Sequence, residues 1–157
     1  MNTLITTTQL LQQAFGSGEY LPPDTFSEAD IAAAEERYLL PVIGPALHER
    51  LLAGDYADLR DSYLARPLAL FTRLMLQPRL DIRTGQCGTS APKSSWGQPA
   101  DEEARRRQCR ALRAEARSLL YRAVRYLDRH REEFPEYRPE RNILKRCTTD
   151  GGFVQIR

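Results

Sequence analysis

Glu35 and Glu36 are adjacent carboxylates, and paired carboxylates are a common starting point for general acid–base chemistry. Neighbours on a helix point about 100° apart, so these two cannot address one reacting group together. Ser94 and Ser95 stand in a polar stretch with no base at a spacing that would activate a nucleophile. Cys87, Cys109 and Cys147 are odd in number and far apart, which suits neither a disulfide framework nor a zinc knuckle. His48 and His130 each lack a nearby partner in sequence. No glycine-rich phosphate loop and no His-Glu metal helix is present. These residues predict a protein that is not an enzyme and that needs neither cofactor nor metal.

Charge is distributed more tellingly. The net charge is +2, yet residues 1–80 carry ten acids and six bases, while residues 81–157 carry eleven acids and seventeen bases. The halves therefore stand at −4 and +6, and 21 of the 23 basic residues are arginine. Codon usage in a GC-rich genome explains that bias, and so does a surface that uses arginine's planar fork. The arginines concentrate between 104 and 131, where ten of them meet two acids, Glu115 and Asp128. Arg105, Arg106, Arg107, Arg110, Arg113 and Arg117 cover the first turns of that segment. Such a surface can neutralise phosphates. It can equally pair with a neighbouring subunit's acids, and Glu28, Asp30, Glu35 and Glu36 in the acidic half are the candidates. The sequence shows no recognition-helix pair and no aromatic platform beside the arginines, which favours subunit pairing over nucleic acid.

The elements that must carry these side chains are helical. A first helix is expected over Gln9 to Phe15 with Thr8 as its cap, closed by Gly16-Ser17-Gly18 and followed by Pro22-Pro23. Ser27 opens a second helix, with Asp30 reaching back as in a capping box. Ile31, Ala34 and Tyr38 then share one face, with Glu35, Glu36 and Arg37 turned away. Pro41 is expected to stop or kink this helix, and Gly44-Pro45 to start the next, which carries Leu47 and Leu51 and closes at Gly54. An apolar helix follows, kinked or restarted near Pro67, with a stripe of Tyr63, Leu64, Leu68, Phe71, Leu74 and Met75. Residues 81–100 read as a long polar loop in which Trp96 either folds back onto the core or meets a partner. From Asp101 to Glu133 runs the strongest helix, with acids in its first turn and a stripe of Leu112, Ala116, Leu119, Leu120, Ala123 and Leu127. Pro135 marks its end, and Phe153 sits in a short strand signal within a tail over 138–157.

With 157 residues, 41% hydrophobic and 28% charged, the chain fits one globular domain. It has no apolar run of about 20 residues and no basic start before an apolar patch, so no membrane partner and a cytoplasmic origin are expected. The expectation is an all-α bundle of about four to five helices over 1–137, containing the loop 81–100, with a C-terminal tail over 138–157.

The order of these elements resembles the small helical head–tail connector, or adaptor, proteins of tailed double-stranded DNA phages and prophages, especially those of Bacteroidetes elements. The resemblance rests on Leu4-Ile5-Thr6, the helix Ala29 to Leu40 leading into Pro41-Val42-Ile43-Gly44, Leu47 to Leu52, and the apolar helix from Pro67 to Leu76. It continues in Tyr126-Leu127 with Phe134-Pro135-Glu136-Tyr137 behind, and so spans most of residues 3–137. It implies a homo-oligomeric ring below the portal, made in the host cytoplasm and carried into the virion, with portal and tail proteins as partners. The loop 81–100 with Trp96 and the tail with Phe153 would grip those partners. The heavy arginine load and the long C-terminal extension depart from the family's usual form. The alternative is a nucleic-acid-binding accessory protein of a mobile element, acting through the arginine helix 101–133.

Overall fold

The structure is a computed structural model that describes residues 2–16, 19, 21, 25–85, 88–90, 99–145, 148–150 and 153–155, the strand residues by their backbone alone. Its architecture is an all-α bundle, as the periodicity requires. Helix α1 (Thr7–Ala14) is capped by Thr6, not Thr8: the Thr6 hydroxyl accepts from the Gln9 N–H while the Gln9 side chain accepts from the Thr6 N–H. The reciprocal pair satisfies two otherwise orphaned donors, which a cap at Thr8 would not do. Helix α2 (Glu28–Ala34) starts after Ser27, whose N–H and hydroxyl both donate to the Asp30 carboxylate.

Pro41 does not stop the second helix. A wide π turn (Glu35–Leu39) follows α2 directly and runs on into α3 (Leu40–Ile43). The same device recurs where α5 (Ala57–Leu59) passes through a π turn (Arg60–Leu64) into α6 (Ala65–Asp81). In each case the widened turn contains the residue four before a proline, Arg37 for Pro41 and Tyr63 for Pro67. That is the carbonyl a proline ring would strike in a regular α-helix, and the wider turn gives it room. The true corner is Gly44, at φ 83° and ψ 158°, between α3 and α4 (Pro45–Leu52). Tyr56, at φ 55°, and Gly54, at φ 96°, make the second corner, between α4 and α5.

The centre of the bundle is α6, which packs against α1, α2 and the long α7 (Glu102–Arg129). Leu64, Ala65, Leu68, Ala69 and Phe71 are buried along it, opposite Ala116, Leu120, Ala123, Val124 and Leu127 of α7. Leu120 is 3% exposed, while Leu112 and Leu119 lie half-buried at the edge of the stripe. Tyr38 stacks on Phe71 at 4.3 Å and Tyr63 on Tyr126 at 4.2 Å, pinning the second helix and the π turn to their neighbours. Arg73, on α6, forks onto Glu19 and reaches the Ala14 carbonyl, holding the end of α1.

Three boundaries differ from the sequence reading. Residues 83–90 are not plain loop: β1 (Arg83–Gly85) and β2 (Gly88–Ser90) pair antiparallel. Helix α7 ends at Arg129, not at Glu133, because His130 leaves helical geometry at φ −116°, ψ 37°. The following turns return Phe134 and Tyr137 to the core. The segment after 137 begins as part of the packed body: Asn142 is buried, donates to the Tyr137 hydroxyl at 3.0 Å and accepts the Leu144 N–H at 2.9 Å. Two 3₁₀ turns (Pro139–Arg141 and Ile143–Lys145) carry it, and β3 (Thr148–Asp150) pairs antiparallel with β4 (Phe153–Gln155) beyond.

Candidate functional site

Glu35 is not turned away with Glu36 and Arg37. It is 3% exposed and lies one turn from Ile31 and one turn from Leu39, both buried, so ordinary helical spacing places it on the core face. The Leu4 N–H donates to its Oε1 at 2.7 Å, and His48 Nε2 lies 3.0 Å from its Oε2. Glu35 thus ties the N-terminal strand of chain to α4 and is not a surface acid. His48, read from sequence as a residue without a partner, has this one. Glu36 is exposed beside it, and Glu28 is exposed at the start of α2.

Asp30 is half-buried and committed as well, through Ser27 and through Arg79 at 3.0 Å. Burial alone would raise its pKa, but the Ser27 hydrogen bonds and the Arg79 guanidinium outweigh that and hold it below the ordinary aspartate value. Of the four acids proposed for a subunit contact, Glu28 and Glu36 are therefore the ones presented on the surface.

The arginines of α7 divide into two sets. Arg106, Arg110, Arg113 and Arg117, at i, i+4, i+7 and i+11, share one flank of the helix. Arg106 pairs with Glu102 one turn back, and Arg105, off this flank, donates from Nε to the Ala100 carbonyl at 2.8 Å. Arg110, Arg113 and Arg117 are exposed and meet no carboxylate at ion-pair distance among the described residues. Arg122, Arg125 and Arg129, at i, i+3 and i+7, occupy a different flank nearer the C-terminus.

This second set lines a groove of about 400 Å³ together with Tyr63, Tyr126 and His130. The Arg122 guanidinium lies 5.1 Å from the Tyr63 ring centre, Tyr63 stacks on Tyr126, and Tyr126 meets His130 at 4.3 Å. His130 is oriented by its Nδ1, 2.9 Å from the Tyr126 carbonyl, which fixes Nδ1 as the donor because a carbonyl can only accept. Aromatic side chains therefore stand beside Arg122, Arg125 and Arg129, a set the sequence reading did not single out. Residues 122, 126 and 130 were legible as successive turns of one face. Tyr63 comes from another helix, and its approach was not.

Trp96 lies outside the described residues, and of Phe153 only the backbone in β4 is described. Among the described residues, no group of three or more His, Cys, Asp or Glu side chains gathers where a metal ion could sit. Also among them, no helix is long and apolar enough to cross a membrane.

Residues 39–146, from the second helix through the 3₁₀ turns, match the family model described as "Family of unknown function (DUF6712)". The chain belongs to that family. The match takes in α3 to α7, both arginine sets and the packed segment after 137, and it leaves out α1 and most of the second helix. No curated protein and no solved structure matches the chain.

Proposed function

We propose that this DUF6712 member is a structural head–tail connector of a tailed phage or prophage, joining portal to tail as a closed ring of identical subunits. The observation that carries this reading is the exposed flank of Arg110, Arg113 and Arg117, three cations without a carboxylate partner among the described residues. Heterologous contacts that close are how one chain makes a ring, and such contacts need two complementary patches. Glu28 and Glu36, exposed on the second helix, supply the opposite charge. The order of helices that resembles the connectors supports the same reading, as does the all-α bundle itself. By the same resemblance, the segments carrying the paired strands β1–β2 and β3–β4 would be the grips on neighbouring proteins.

Exposed ion pairs contribute roughly 0–1 kcal/mol each, so the isolated chain is expected to be monomeric and to close into a ring on the portal. The test is complementation of a phage lacking this gene. A variant with Arg110→Glu, Arg113→Glu and Arg117→Glu should fold normally yet yield filled heads without tails. Tailed particles at normal levels from that variant would refute the charge-complementary ring.

A second reading is a nucleic-acid-binding accessory protein of a mobile element. The groove of Arg122, Arg125 and Arg129 is the observation that favours it. A phage lacking the gene separates the two: an accessory binder leaves head–tail joining intact.

A further inference from the structure

The geometry points to the groove lined by Tyr63, Arg122, Arg125, Tyr126, Arg129 and His130 as a binding site for the phosphodiester backbone of a nucleic acid strand, taken without regard to sequence. This site stands apart from the connector reading, which requires no contact between this groove and DNA. Tyr63 is stacked on Tyr126, Tyr126 on His130, and the Arg122 guanidinium covers Tyr63. The Tyr63 and Tyr126 rings each have a partner on either side within this column, so neither offers a base a free face. What the groove presents to a ligand is guanidinium N–H groups and ring edges, which suit an anion better than a base.

No lining residue is acidic, and Arg122, Arg125 and Arg129 pair with no carboxylate among the described residues. Asp58 and Glu133 line the adjoining hollow beyond Tyr126, and so bound the cationic stretch on that side. Arg122 and Arg129 are separated by seven residue steps, about 10 Å of helix at 1.5 Å per residue. One strand of duplex DNA carries a charge about every 3.4 Å of axis, so the run matches roughly three phosphates. A regular backbone charge answers this spacing whatever the sequence, whereas a peptide must supply an acid at each step.

The experiment is fluorescence anisotropy with a labelled 20-nucleotide oligo-dT and a labelled mixed-sequence duplex of the same length. The wild-type chain should bind both weakly, and three phosphate contacts should weaken duplex binding about 40-fold between 50 and 200 mM salt. The variant Arg122→Gln, Arg125→Gln, Arg129→Gln should lose most of the affinity and reduce the salt slope by about three. The matched variant Arg110→Gln, Arg113→Gln, Arg117→Gln should bind as the wild type does. Should the groove variant fail to fold by circular dichroism, Arg125→Gln alone should reduce the slope by about one. No wild-type binding at 50 mM salt, unchanged binding by the groove variant, or equal loss in both triple variants would overturn the site. Competition by poly-glutamate as effective as by unlabelled oligo-dT at equal charge would also overturn it, since the groove would then not prefer phosphodiesters.

Discussion

Single side chains carry their weight here through what they are tied to. Glu35 is buried between the Leu4 N–H and His48, so removing its carboxylate strands a buried donor as well as the histidine. Glu35→Ala should cost about 1–3 kcal/mol in urea denaturation, whereas Glu36→Ala, exposed one residue on, should stay within about 0.5 kcal/mol. Equal effects would mean that the Leu4 contact does not hold the N-terminus. Asp30 gives the pH dependence. Its pKa is lower in the folded state than in the unfolded chain, so its contribution is present above the unfolded value and is lost as pH falls through the folded one. The stability gap between wild type and Asp30→Asn should therefore be full at pH 6 and shrink below about pH 4. A gap that holds constant to pH 2.5 would contradict the Arg79 and Ser27 contacts.

Elements show where the sequence was readable and where it was not. The apolar stripe of α7 named its buried face correctly through Ala116, Leu120, Ala123 and Leu127, because a 28-residue amphipathic helix states its period many times over. Leu120→Ala should accordingly cost about 2–5 kcal/mol in chemical denaturation, and a loss below 1 kcal/mol would place it off the core. That the second helix runs on past Pro41 was not legible, because the wide turn at 35–39 that accommodates the proline is a local adjustment with no compositional signal. Glu35 was misread for another reason: its charge was taken as the mark of a solvent face, although it stands one turn from the buried Ile31 and Leu39, and its partners Leu4 and His48 are remote in sequence. Gly44, by contrast, was legible as a corner. Its conformation belongs to a region that essentially glycine alone adopts, and a β-carbon there would meet nothing within 4 Å, so strain is the whole penalty. Gly44→Ala should lower stability by about 1–3 kcal/mol without altering the far-UV spectrum. A neutral substitution would mean the corner relaxes.

The whole molecule is a helical body with its charge unevenly shared, and its candidate surfaces were legible to different depths. The arginine-rich flank of α7 could be read from spacing on one helix. The groove could not, because it forms where the π turn carrying Tyr63 meets the C-terminal end of α7. Nor could the Asp30–Arg79 pair, although the Ser27–Asp30 capping box was legible, nor the Glu35 contacts with Leu4 and His48; these leave Asp30 and Glu35 off the exposed acidic face. An exposed arginine set, a pair of exposed acids and two hairpins are the parts from which a ring would be assembled. The most direct test is to find the chain in the particle. Tailed particles of the phage or induced prophage that encodes it should be purified and reconstructed by electron microscopy, with mass spectrometry of their proteins. Several copies per particle, arranged as one ring of this helical fold between portal and tail, are expected. Intact tailed particles that lack the chain, or a portal vertex with no density for its bundle, would contradict it.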